Sequence, residues 1–246
     1  MVIKMNTSIF ATFDKSFDIN CPVIKWDEPN GFNAIPFNKY SKRNISFEEL
    51  VAKTTQFTVH WSVTYTAAST FSGLKSRGLS CNFIIGDDCN NEGYATIYQT
   101  LPLIYAGWSQ GGSHNTMGPG VEISYMPQAY EKDMYTSSIM AKQKVPSHET
   151  VMADVHGQKL KVHIPTKAQS NSLVQLIWGF SELFPNIPME FPKDQNGKYI
   201  TTNLKDPMKY SGLMSHYHIT RGKIDTAGLD YAFIEKEVAQ RKLVGY

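Results

Sequence analysis

Phe57-Thr58-Val59-His60-Trp61-Ser62, then Thr66-Ala67-Ala68-Ser69-Thr70-Phe71-Ser72-Gly73-Leu74-Lys75-Ser76-Arg77-Gly78, then Asn82-Phe83-Ile84-Ile85 is the stretch that decides the fold class. The first run is crowded with β-branched and aromatic residues, which predicts a strand over 57–62. The second predicts a helix over 66–77, stopped at Gly78 because glycine readily takes the left-handed conformation that closes helices. The third is a short apolar strand. The turn-rich Gly86-Asp87-Asp88-Cys89-Asn90-Asn91-Glu92-Gly93 and a further run, Ala95-Thr96-Ile97-Tyr98-Gln99, make it the first half of a strand, reversal and strand. Helices and strands mixed along one chain point to the α/β class.

Working outward, Val121-Glu122-Ile123-Ser124-Tyr125 reads as another strand, with Glu122 on the face opposite Val121 and Ile123. Residues 126–148 carry no period and read as an insertion, extended to 165 by a hairpin that turns at His156-Gly157 and whose second strand covers 159–164. Thr166 is placed to cap the longest amphipathic helix, with Leu173, Leu176, Ile177, Phe180, Leu183 and Phe184 at helical spacing before Pro185 ends it. A last helix is expected over 230–243. Towards the N-terminus, Ser46-Phe47-Glu48-Glu49 is a capping box opening a short helix to residue 53, and residues 1–45 read as a loop-rich extension with short extended pieces. No internal repeat is present, so the expected organisation is one α/β domain over 1–246 with insertions.

Composition narrows the function by exclusion. With 24 basic and 22 acidic residues the net charge is +2, too balanced for an electrostatic footprint on nucleic acid. Cys21, Cys81 and Cys89 are odd in number and lack CxxC spacing, which argues for reduced thiols. The N-terminal apolar residues are too often interrupted for a secretory signal, and no run reaches membrane-spanning length, so the chain is expected to be soluble and cytoplasmic when made.

Chemistry concentrates in Ser215-His216-Tyr217-His218-Ile219-Thr220-Arg221-Gly222-Lys223-Ile224-Asp225. Zinc takes neutral imidazole nitrogen and carboxylate oxygen in a tetrahedral shell, and a catalytic zinc keeps one position for water. This segment can supply two ligands, and His60 on its apolar strand can supply a third. His216 and His218 would share a face of an extended segment, so either can be the histidine involved. Taken singly, each residue has an ordinary reading: His60 as a hydrogen-bonded core histidine, Glu122 as an exposed strand residue, Lys223 and Asp225 as a solvated loop pair.

Several segments together resemble the type-2 family of zinc N-acetylmuramoyl-L-alanine amidases, to which phage lysozyme-type amidases and peptidoglycan recognition proteins are related. They are Thr58-Val59-His60-Trp61, Arg77-Gly78-Leu79-Ser80-Cys81-Asn82-Phe83-Ile84-Ile85, Thr96-Ile97-Tyr98-Gln99, Ala106-Gly107-Trp108, Gly120-Val121-Glu122-Ile123 and the run from His216 to Asp225, in the family's order. The resemblance covers residues 57–125 and 173–229. It implies a central mixed sheet flanked by helices, Zn²⁺ held by His60, His216 and Asp225, and catalytic roles for Glu122 and Lys223. It also implies a peptidoglycan or muropeptide substrate, cut between N-acetylmuramic acid and L-alanine, with the enzyme reaching the cell wall after release or delivery. The setting stays open between a phage lytic or virion-associated enzyme, a bacterial recycling amidase and a delivered antibacterial effector, and the unmatched insertions favour the first, an endolysin with antimicrobial action. His216 is the favoured ligand because Ser215 before it matches the small residue the family has there, which leaves His218 in the groove or behind the ligands.

Some phage members carry a tyrosine where Cys81 stands, and relatives often have a histidine where Ser109 follows Trp108. Glu122 therefore carries the proton-transfer role, and His114 is either a displaced substitute or a loop histidine. Two competing readings are a cysteine peptidase with Cys81 activated by His60, His114 or His216, and a non-catalytic peptidoglycan-binding module.

Overall fold

The computed structural model describes residues 6–36, 45–126 and 148–244. In chain order, the strands are β1 (Ser8–Phe10), β2 (Ser16–Asp18), β3 (Val23–Lys25), β4 (Gln56–Trp61), β5 (Phe83–Ile85), β6 (Ile97–Gln99), β7 (Gly120–Ile123), β8 (Thr150–Val155), β9 (Gln158–His163) and β10 (Gly212–Ser215). The helices are α1 (Phe47–Lys53), α2 (Ala67–Ser76), α3 (Lys167–Leu183), the single turn α4 (His216–Ile219) and α5 (Tyr231–Val244).

Six strands form one mixed sheet in the order β10-β4-β7-β5-β6-β3. β10, β4, β7 and β5 run parallel, β6 turns back antiparallel to β5, and β3 lies parallel to β6. All six residues of β4 are buried, as expected of a central strand covered on both faces. On one face, Phe57, Val59, Val121, Ile123, Phe83 and Ile85 belong to the main core, together with Leu173, Leu176, Ile177 and Phe180 of α3. On the other, Ile84 packs with Ala67 and Leu74 of α2. The sequence expectation of a mixed sheet flanked by helices is met, and no helix among the described residues is long and apolar enough to cross a membrane.

The helix ends follow local chemistry. Thr66 and Thr166 each close a capping box, the latter with Gln169. Gly78, beyond the C-cap of α2, has φ +68°, the left-handed conformation expected there. β10 is an element the sequence reading did not anticipate, since Gly-Leu-Met-Ser is too short to show a strand period.

The N-terminal segment reads as short extended pieces, and β3 is the sheet's edge strand while β1 and β2 pair as a hairpin. Ile9 and Ile19 are fully buried against α3 at Gly179, where a Cβ would stand 2.2 Å from Cγ2 of Ile19. Residues 127–147 of the expected insertion lie outside the described residues, whereas β8 and β9 form the expected antiparallel hairpin.

Phe180 is 1% exposed, and its ring lies 5.0 Å from Phe57 and 4.5 Å from Phe184. Phe180→Ala should lower the unfolding free energy by roughly 3–5 kcal/mol in urea titrations. Leu243→Ala, at an exposed position of α5, should change it by less than about 0.5 kcal/mol.

Candidate metal centre and active site

The sheet register brings the chemistry together. His60 of β4 pairs with Glu122 of β7, so the two side chains stand side by side on one face. Ser215 of β10 pairs with Val59, which puts His216, the next residue, beside His60 on the other flank. After the single turn of α4 the chain folds back, and the Tyr217 N–H donates to the Asp225 carbonyl at 2.9 Å. Nδ1 of His60 and Nδ1 of His216 lie 3.0 Å apart, and Asp225 Oδ2 is 3.1 Å from the first and 3.0 Å from the second. All three residues are buried.

This donor set fits a divalent cation. Two imidazole nitrogens and a carboxylate oxygen about 3 Å apart surround a point roughly 2 Å from each, the bond length zinc makes to nitrogen and oxygen ligands. Hydrogen bonding alone serves the triangle poorly, because each Nδ1 can carry only one proton while both face each other and the carboxylate. Among the described residues these three form a group able to hold a metal.

Their protonation states agree with that role. Burial, reinforced by repulsion from His216, pushes the His60 imidazole down to about 4 against the pull of Asp225. Burial pushes the Asp225 carboxyl upward, but hydrogen bonds from His216 and His60 outweigh it and hold the group well below the usual carboxylate range. At neutral pH the site therefore pairs a neutral His60 with an ionised Asp225, the forms in which each ligates.

His218 is directed elsewhere. Its Nδ1 accepts from the Ser215 N–H at 3.0 Å and its Nε2 donates to the Ile200 carbonyl at 2.8 Å, so both ring nitrogens are used and the neutral tautomer is set. Helical winding of α4 separates it from His216, where an extended segment would have aligned the two.

A cleft of about 320 Å³ opens over the cluster, lined by Glu122, His216, Asp225, Lys223 and Arg77 and walled in part by Leu74 of α2. Burial and the negative charge of Asp225 push the Glu122 carboxyl well above its ordinary value, while Lys223 and Arg77 pull it back. Glu122 Oε2 is buried with no hydrogen-bond partner among the described residues. Lys223 and Arg77 are exposed side chains at the same cleft. Arg77 was visible in the sequence only as part of a matched segment, and nothing local shows that the end of α2 brings it to the cleft that holds Glu122.

Cys81 does not reach this cleft. It is 1% exposed, its thiol donates to the Phe83 carbonyl, and burial raises its pKa well above the ordinary thiol value. A nucleophilic cysteine needs the opposite environment, so the Cys81 reading is set aside. All three cysteines are free thiols. Ser109 lines the cleft, and His114 sits in a 3-10 turn near enough to His216 for repulsion to add to burial in lowering its pKa.

No protein-family model matches the chain, and no curated protein matches it by sequence. Among solved structures it is similar to the Staphylococcus aureus hydrolase AmiA in complex with its ligand, at 13% identity and a TM-score of 0.46 over 96% of this chain and 97% of that one. It is also similar to the N-acetylmuramyl-L-alanine amidase AmiD from E. coli, in complex with the substrate anhydro-N-acetylmuramic acid-L-Ala-D-gamma-Glu-L-Lys. There the identity is 12% and the TM-score 0.39, over 74% of this chain and 55% of that one. The chain thus spans about half the length of AmiD. At such identities no residue's role carries across.

Metal analysis of the purified chain should find about one divalent ion per molecule. His60→Ala and Asp225→Ala should each lose it and His218→Gln should keep it; retention in the first two would remove those residues from the site. His218 also predicts a pH effect. Its folded pKa of about 4 lies below the ordinary 6.5, so its contribution is complete above about 6.5 and is lost as pH falls towards 4, because the unfolded chain takes the proton first. Urea titrations in EDTA at pH 7 and 4.5 should therefore show a smaller loss in His218→Gln than in the parent, by on the order of 2–3 kcal/mol.

Proposed function

We propose that the chain is a zinc-dependent amide hydrolase of peptidoglycan, an N-acetylmuramoyl-L-alanine amidase that cuts between the lactyl group of N-acetylmuramic acid and the first L-alanine of the stem peptide. The observation that carries this reading is the convergence of His60, His216 and Asp225 on one point beside the buried Glu122, inside an open cleft. The choice of peptidoglycan rests on the ordered set of family-like segments in the sequence. A non-catalytic binding module has no need of a complete donor set with an adjacent buried carboxyl, which counts against that alternative.

His60, His216 and Asp225 would hold the ion. Zinc bound there supplies a Lewis acid that activates water and polarises the amide carbonyl. Glu122 takes the proton from the attacking water and returns it to the amide nitrogen as the C–N bond breaks. Burial suits it to both steps, since a carboxyl that resists ionisation is a better base when ionised and holds its proton closer to neutral pH. The Lys223 ammonium, at the cleft beside Asp225, faces the negative charge that develops on the carbonyl oxygen. Two carboxylates flanking a glycosidic bond are not what this site offers, because Asp225 is engaged by both imidazoles.

Glu122→Gln should keep the metal and lose roughly 10²-fold or more in turnover. Lys223→Ala should lower kcat with little change in metal content, as expected for a group acting on the transition state. Digestion of purified peptidoglycan should free alanine amino termini and leave glycan strands intact by mass spectrometry. New reducing sugar ends without new alanine amino termini would exclude the amidase assignment.

A further inference from the structure

Behind the metal-ligand cluster lies a set of buried hydroxyl groups that the proposed reaction does not use. Ser215 Oγ is 2.6 Å from Thr226 Oγ1 and 2.6 Å from the Tyr231 hydroxyl, which in turn is 2.6 Å from the Tyr217 hydroxyl. All four residues are buried. Ser215 and Tyr217 flank His216 in the chain, and Thr226 follows Asp225. Every link therefore ends on an immediate neighbour of a ligand; two of the three meet at one phenol, Tyr231 in the first turn of α5, and the third joins Ser215 to Thr226.

Two ligands carried on one reversing loop need an anchor if their donor atoms are to stay about 3 Å apart, because the loop between them is exposed at Arg221, Gly222 and Lys223. The backbone supplies one tie, from the Tyr217 N–H to the Asp225 carbonyl. The hydroxyl cluster supplies the others, on the side of the loop away from the imidazole and carboxylate. The anchor is itself held firmly: the Tyr231 ring stacks on Phe191 at 3.9 Å and 15°, and meets Tyr199 edge-on at 5.3 Å.

We propose that Tyr231 is a positioning residue for the metal centre, its hydroxyl fixing the His216 end of the His216-to-Asp225 loop through Ser215 and Tyr217, and the Asp225 end by way of Ser215 and Thr226, so that both ligands are preorganised for a divalent ion. The inference rests on the metal reading of His60, His216 and Asp225. It gives α5 a role beyond packing. Groups hydrogen-bonded to a metal ligand commonly change metal affinity by about 10–100-fold when removed, and Tyr231 acts one step further out, on the neighbours of the ligand, so an effect at the lower end is expected.

The test uses Tyr231→Phe, which keeps the ring and its stacking and removes only the hydroxyl. Tyr199→Phe is the matched control, since Tyr199 also donates its hydroxyl to a side chain of α5, Glu235 at 2.9 Å, without touching the ligand loop. Zinc affinity is measured by competition with a chelating dye, and the Co²⁺-loaded proteins are compared by their visible spectra. Tyr231→Phe should bind zinc about 10-fold or more weakly and give an altered Co²⁺ spectrum, while Tyr199→Phe matches the parent in both, whatever its thermal stability. Ser215→Ala removes the oxygen shared by Thr226 and Tyr231 and should reproduce the effect, giving the same readout should Tyr231→Phe fail to fold. Parent-like zinc affinity and spectrum in Tyr231→Phe, or in Ser215→Ala where that variant stands in, would overturn the proposal and leave the metal reading intact, and so would equal weakening in Tyr199→Phe. A parent that binds no divalent ion would overturn both.

Discussion

An ionised carboxylate buried against two imidazoles is the constraint on which the site depends. Removing a carboxylate from water costs several kcal/mol unless partners replace the lost solvation, and Asp225 finds them in His60 and His216. The partners bring a second difficulty, because two imidazole nitrogens 3.0 Å apart repel unless a proton or a cation lies between them. The chain meets both demands at the end of one sheet. That requires β10 to lie beside β4 and the loop after α4 to return to its start.

The two faces of the sheet divide the labour. One is apolar and sealed by α3, which supplies the burial that holds the strands in register. The other carries His60 and Glu122 and is covered in part by α2. The Thr70 hydroxyl of α2 lies within hydrogen-bonding distance of Ser62, Thr64 and Ser124, tying the helix to the strands beside the cleft. A carboxyl at position 122 is thus kept out of water while a cleft still opens above it, the combination that perturbs its proton affinity.

Segments outside the family-like motifs also support the site. The β8–β9 hairpin turns at His156, whose Nε2 donates to the Lys223 carbonyl at 3.0 Å and whose ring meets Tyr217 edge-on. Val151 and Val162 crowd Gly228 closely enough that a Cβ there would stand 2.9 Å from each. A segment that reads as an insertion along the sequence is, in space, a brace on the loop that carries Lys223 and Asp225.

Much of this was legible without coordinates. Capping residues such as Thr66 and Thr166, the glycine after α2 and the apolar period of α3 act within a few residues of themselves, so sequence alone determined where those helices begin and end. The identity of the residues able to bind a metal was legible too, because donor chemistry belongs to the side chain. The strand β10 was not, since four residues hold too little period and their pairing partner lies about 150 positions away. The choice of His216 over His218 had only the family-like Ser215 to favour it in the sequence, since the two share a face in an extended chain and are parted only because the segment winds into a turn. Register between distant strands and the path of a returning loop are set by burial and hydrogen bonds that no local stretch contains. The sequence therefore determined which chemistry was possible, and the tertiary structure alone decided which atoms meet.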